Sequence, residues 1–199
     1  MASAKTSSPV TRKNKPQSSL VIQNDAARSD DFSKAAPAYS EKDLLIDGIK
    51  SMYWVENHLV KSLTKMIDSA NSSNLANVIT QHLKVTKNHV LRIEKAFKLL
   101  GLQPQAKKCE AIESMTKEGE IMIEVTDMNS ITRDLSIISS SQKVEHHEMA
   151  CYKSLAQLAN AMGMNELNDL FLQTLKEETE ADVILTGLSG NLNKPGKSK

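Results

Sequence analysis

The chain has 199 residues, 40% apolar and 25% charged, a size and balance that fit one globular domain with extra polar sequence. Aromatics at 4%, with only 7 glycines and 5 prolines, exclude sandwiches and barrels, whose strands need β-branched and aromatic residues between frequent turns. The net charge of +1 hides an asymmetry: residues 1–40 carry 6 basic and 3 acidic side chains, residues 41–188 carry 16 and 21, and residues 189–199 carry 3 and 0. The middle therefore lacks the basic face that a folded nucleic-acid binder needs.

Residues 1–38 hold Pro9, Pro16 and Pro37 among Ser, Lys, Asn and Asp, with Leu20, Val21 and Ile22 as their one apolar patch, and are expected to be a disordered tail. Lys5, Arg12, Lys13 and Lys15 give this tail a weak potential for polyanions. Ser40-Glu41-Lys42-Asp43 has the S-x-x-D form of a helix start, and a first helix is predicted from there to about Ser69. Asn71-Ser72-Ser73 makes a short turn, and a second helix runs from near Asn74 to Leu100-Gly101-Leu102-Gln103-Pro104, where Gly caps and Pro forbids continuation.

Ile112, Met115, Met122 and Ile123 mark a shorter connecting helix within residues 108–125. A third long helix is expected from Ser130 to Met162, ending at Gly163, and a fourth from Asn165 to Leu188, with residues 189–199 as a flexible tail. Two short connections and one long one imply an all-α fold: a four-helix bundle of ferritin-like type over residues 39–188, with a short extra helix in the crossover between helices two and three. Nowhere is there an apolar run of signal-peptide or membrane-span length. Cys109 and Cys151 have neither C-x-x-C nor zinc spacing, which suggests packed thiols in a reducing compartment, the cytoplasm.

The buried stripe of each long helix, advancing by threes and fours, is interrupted by polar groups near its middle. Helix one reads Leu45, Ile49, Met52, Glu56, Leu59, Leu63, Met66. Helix two places His82 and His89 between Ile79 and Ile93. Helix three places Glu145 on the seam, with Glu148 one turn on, and helix four places Glu178 there, with Asp182 one turn on. Ionised carboxylates buried together repel and need neutralisation by Lys or Arg, by shared protons or by cations, and the glutamate-bearing stripes contain no Lys or Arg. An oxygen-rich set with one or two imidazoles favours Fe or Mn, one ion or two, and bundle cores hold such sites. The bland alternative for any single glutamate is an edge position paired with a surface lysine.

Of the remaining polar residues, at most one of His146 and His147 can share a face with Glu145. Tyr53 and Tyr152 lie within a turn of Glu56 and Glu148, as hydrogen-bond partners or packing groups. Trp54 reads as core, and Glu177 and Glu180 as a solvated face.

Lys42-Asp43-Leu44-Leu45-Ile46-Asp47, Met52-Tyr53-Trp54-Val55-Glu56-Asn57, Lys107-Lys108-Cys109-Glu110-Ala111 and Gln142-Lys143-Val144-Glu145-His146-His147-Glu148 resemble the YciE/YciF type of bacterial ferritin-like stress proteins over residues 41–188. The resemblance implies homodimers, a di-metal centre and a stress-related role. One segment departs from it: the family's His-Leu-Glu-Glu-Thr on helix two is here His82-Leu83-Lys84-Val85-Thr86, so both glutamates are missing.

The leading expectation is a metal-binding stress protein using Glu56, His89, Glu145, Glu148, Glu178 and Asp182 on iron or manganese, with ferroxidase- or peroxidase-like reactivity toward oxygen or peroxide. The rival is a structural or interaction stress protein whose site has degenerated, with Lys84 and Val85 as the marks of loss. A DNA-protecting particle using the basic tail ranks last, because the acidic middle repels DNA.

Overall fold

The computed structural model describes residues 39–192, and all their regular structure is helical: α1 (Glu41–Ser69), α2 (Ser73–Leu99), α3 (Glu110–Val125), α4 (Ile131–Ala161) and α5 (Asn165–Leu192). The expected bundle is present, with α3 as the extra helix in the crossover. The amino-terminal tail expected over residues 1–38 lies outside the described residues, as do residues 193–199; residues 189–192 continue α5 as helix where a flexible tail was expected.

Local chemistry sets the helix ends. Ser40 and Asp43 form a reciprocal capping box: the Asp43 amide donates to Ser40 Oγ at 3.1 Å, and the Ser40 amide donates to Asp43 Oδ2 at 3.0 Å. The α2 exit is a Schellman turn in which Gly101 takes φ 68°, the Gly101 amide donates to the Lys98 carbonyl and the Leu102 amide to the Phe97 carbonyl. Gly163, at φ 71°, closes α4 the same way, with amides of Gly163 and Met164 reaching the carbonyls of Asn160 and Ala159. Only glycine takes such a φ without strain.

α1 pairs with α2, α4 pairs most extensively with α5, and α3 lies along α4. The connecting helix buries Ile112, Thr116 and Gly119, with Met115 and Ile123 partly covered; Met122, expected on that face, is 37% exposed. Two apolar clusters fill the interior. One contains Leu45, Ile49, Met52, Phe97, Leu155 and Phe171; the other contains Leu63, Met66, Leu75, Ile79, Ile137 and Leu185. On α1, Glu56 stands among Met52, Val55 and Leu59 of the first cluster, with Leu63 of the second two turns further on, so a polar group interrupts the apolar core in mid-helix. None of the described helices is long and apolar enough to cross a membrane.

Candidate metal centre

Four helices deliver the polar layer. α1 supplies Glu56; α2 supplies His82 and His89, two turns apart on one face; α4 supplies Glu145 and Glu148, one turn apart; α5 supplies Glu178. Glu56 and His89 are wholly buried, and Glu145, Glu148 and Glu178 are at most 2% exposed. Apolar neighbours in each stripe force these groups inward, because the register that buries Met52 and Leu59 also buries Glu56.

The donor atoms fall into two triads. Those of Glu56, His89 and Glu178 lie within 4.8 Å of one another, as do those of His82, Glu145 and Glu178. Nδ1 of His89 is 2.8 Å from Glu178 Oε1 and 3.5 Å from Glu56 Oε1. Nε2 of His82 is 3.2 Å from Glu145 Oε1 and 3.9 Å from Glu178 Oε2. Glu178 thus offers one oxygen to each triad. Glu148 feels the charges of Glu178, Glu56 and Glu145, and both its oxygens lack a hydrogen-bond partner.

The outer contacts orient the inner ones. Glu177 Oε2 lies 2.8 Å from His89 Nε2, and Arg92 holds Glu177 through two nitrogens at 2.9 and 3.1 Å. An Nε2–H donated to Glu177 turns Nδ1 toward Glu56 and Glu178, the way histidines are commonly aimed at metals, which then take the place of the Nδ1 proton. The Tyr152 hydroxyl donates to Glu56. Tyr53 is used elsewhere, its hydroxyl donating to Glu94 Oε1 at 3.0 Å. Trp54 is half-buried and stacks on His58.

Protonation follows from burial and crowding. Burial raises the Glu56 pKa, although His89 opposes the shift. Burial also raises that of Glu178 against the same histidine. Glu148 is pushed furthest above the usual carboxylate range, by burial and then by three neighbouring carboxylates. Burial alone lowers an imidazole pKa, but Glu145 and Glu178 hold His82 at about 9. Glu178 and Glu56 likewise outweigh burial and hold His89 at about 10. Partial burial raises Glu177, yet Arg92 more than offsets it and keeps this carboxyl below its ordinary value.

Seven buried donor or acceptor atoms find no hydrogen bond here: Glu56 Oε2, His89 Nδ1, Glu145 Oε2, and both oxygens of Glu148 and of Glu178. His89 Nδ1 and Glu178 Oε1 are close but not aligned donor to acceptor, an arrangement that suits two groups sharing a third atom. Among the described residues no lysine or arginine pairs with these four carboxylates; Arg92 is spent on Glu177 and Thr174. Carboxylate oxygens with two imidazoles are a donor set for Fe or Mn.

Of the six expected ligands, Glu56, His89, Glu145, Glu148 and Glu178 converge and Asp182 does not. Asp182 is half-buried and accepts from Gln142 Nε2 at 2.9 Å, with His146 Nε2 at 3.3 Å. One turn beyond Glu178, α5 faces this polar edge of α4. His82 takes the vacated place in the second triad. It was visible in the α2 stripe, seven residues from His89, the signal that could have identified it. Glu177, read as solvated, is instead the support of His89. Glu180 is exposed as expected. His147 points away from the layer, its Nε2 3.5 Å from Cys151 Sγ and 3.8 Å from Cys109 Sγ.

Beside the second triad a cavity of about 320 Å³ opens between α2 and α5. Val85 lines its wall, and Lys84 is exposed, so neither of the two positions at which the chain departs from its resemblance carries a carboxylate to the centre.

A family model described as "Domain of unknown function (DUF892)" matches residues 40–194. Protein YciF of Escherichia coli strain K12 is 32% identical over 160 residues, which cover 79% of this chain and 96% of YciF. The crystal structure of the E. coli stress protein YciF aligns with a TM-score of 0.74 at 31% identity, over 77% of this chain and 96% of that one. YcfI of Rhodopseudomonas palustris, for which a structural role has been suggested, aligns with a TM-score of 0.72 at 31% identity, over 76% and 96% of the two chains.

Proposed function

The chain belongs to the DUF892 family, in the company of YciF, and from that premise we propose that it is a metal-binding stress protein holding a pair of iron or manganese ions in the polar layer. One observation carries the reading: seven buried polar atoms without hydrogen bonds surround two triads that share Glu178. His82 and His89 offer at most two positive charges to four buried carboxyls, and keeping such a cluster from water costs several kcal/mol. Glu56, His89 and Glu178 would hold one ion, and His82, Glu145 and Glu178 the other, with Glu148 beside both.

An iron or manganese pair supplies two-electron capacity toward oxygen or peroxide. The chain's own part is to exclude water with the two apolar clusters, to aim His89 through Glu177 and Arg92, and to present the Tyr152 hydroxyl to Glu56. The working compartment is the cytoplasm, where Cys109 and Cys151 stay reduced. The expected activity is ferroxidase- or peroxidase-like.

Anaerobic Fe(II) titration of the full chain tests the reading. Saturation at two ions, falling to one in Glu56→Ala and to none in Glu178→Ala, is expected; near-zero metal in the unsubstituted chain, unchanged by either variant, defeats it. The polar layer receives imidazoles but no carboxylate from α2, whose one acidic residue, Glu94, accepts from Tyr53 instead, and this favours a second reading, an interaction protein with a degenerate site. That protein folds normally and is indifferent to chelators, so the same titration separates the two.

A further inference from the structure

A second group of metal-ligating side chains lies outside the polar layer, where α3 begins against α4. His147 and Cys151 stand four residues apart on α4, the spacing that brings two side chains onto one helical face. Nε2 of His147 lies 3.5 Å from Cys151 Sγ and 3.8 Å from Cys109 Sγ. All three residues are half-buried, and both cysteines pack on the first apolar cluster.

The fold builds the approach of Cys109. The Lys107 amide donates to the Lys50 carbonyl at 3.0 Å and Lys107 Nζ reaches Asp47 at 2.5 Å, which ties the residues before α3 to α1. Cys109 then occupies the N-cap of α3 without capping it: its side chain makes no bond to the free amides of the helix and turns to His147 instead. Serine, threonine, aspartate or asparagine is the usual residue at such a position. Packing alone gives no reason for a forgone cap and two thiols gathered at one imidazole.

Two thiolates and an imidazole select a soft ion over Mg or Mn. Zn(II) in a closed site takes four ligands, and three converge here. Among the described residues only the polar-layer triads have every donor within 4.8 Å of the others, so the two sulfurs stand further apart from each other than from Nε2. Rotation of a cysteine about its Cα–Cβ bond closes them on an ion, and a wide S–Cu(I)–S angle needs less movement than a tetrahedral one. Burial pushes the Cys151 thiol up to about 11, which makes it a poor nucleophile toward peroxide at neutral pH. A thiol that coordinates a metal loses such a proton outright.

We propose that Cys109, Cys151 and His147 form a binding site for one Cu(I) ion, which takes the place of the two thiol protons. This site is separate from the iron or manganese reading above and does not rest on it.

Cu(I) delivered anaerobically to the full chain from its bis-bicinchoninate complex tests the proposal. Uptake of one ion per chain is expected, with two sulfur neighbours and one nitrogen in its X-ray absorption spectrum. Cys109→Ser and Cys151→Ser are each expected to weaken uptake by more than the roughly 10–100-fold that loss of a supporting residue costs a metal site, and His147→Gln by an amount within that range. Cys109→Ser also supplies α3 with a capping hydroxyl, so its denaturant midpoint without copper is expected to be unchanged or higher, and affinity is lost from a chain that folds at least as well. No uptake against bicinchoninate, uptake undiminished in the Cys109→Ser/Cys151→Ser double variant, or a bound ion without sulfur neighbours overturns the proposal. Cu(I) uptake by a chain that binds no Fe(II) upholds this site and defeats the iron or manganese reading alone.

Discussion

Glu148 is the residue at which burial and charge conflict most sharply. It is 1% exposed, both its oxygens are without partners, and three carboxylates press on it. Burial and these neighbours favour its protonated form and keep it in the core at a cost. Glu148→Leu, of similar shape and without polar atoms, is expected to raise the stability of chelator-treated protein by about 1–3 kcal/mol, the penalty of an unsatisfied buried polar group. The same change is expected to weaken or abolish uptake of the second ion. Denaturant midpoints in chelator, set against metal stoichiometry, check both halves; a Glu148→Leu chain less stable than its parent in chelator shows that Glu148 has a stabilising partner after all. A residue that weakens the fold and strengthens the site is what selection for metal binding predicts.

At the scale of elements, Asp134 ties the two hairpins together. It lies on α4, is 1% exposed, and accepts the Asn71 amide at 2.7 Å and the Ser72 amide at 2.9 Å in the turn that leads into α2. Asp134→Ala leaves two backbone donors without their acceptor and is expected to cost about 1–3 kcal/mol, seen as a lower denaturant midpoint at unchanged slope. Such a contact is illegible in sequence because its partners stand 63 and 62 positions away. The Ser40 capping box is legible because its four residues are contiguous. The site divides in the same way. Helical periodicity found Glu56, His89, Glu145, Glu148 and Glu178, since each sits on a stripe with leucines and isoleucines on either side. It misplaced Asp182 and Glu177 because a stripe gives the angle of a side chain about its own axis, not which neighbouring helix lies near it. Asp182 meets Gln142 on α4, and Glu177 meets Arg92 and His89 on α2. The fold was more legible than the site because four long stripes, two short turns and one long crossover leave few ways to pack.

For the whole molecule, the charged layer links stability, pH and metal. His82 and His89 carry pKa values of about 9 and about 10, against an ordinary imidazole value of 6.5. Groups with raised pKa bind more protons folded than unfolded, so their stabilisation is complete below 6.5 and is lost as pH rises through those values. The raised carboxyls of Glu56, Glu148 and Glu178 act in the same direction from about 4.5 upward, because an unfolded carboxyl releases its proton there while the folded one keeps it. Metal-free protein is therefore expected to lose thermal stability steadily from neutral to alkaline pH. Divalent ions compete with the same protons: loading Fe(II) or Mn(II) at neutral pH has to displace a proton from each imidazole, and apparent affinity is expected to rise with pH up to about 9 to 10. Melting temperatures with chelator and with excess Mn(II) across that range should diverge as pH rises, with proton release measured by titration calorimetry in buffers of different ionisation enthalpy. Parallel curves and no proton release mean that the carboxylates and imidazoles neutralise one another without a cation, and the bundle is then a scaffold whose polar layer fixes register alone.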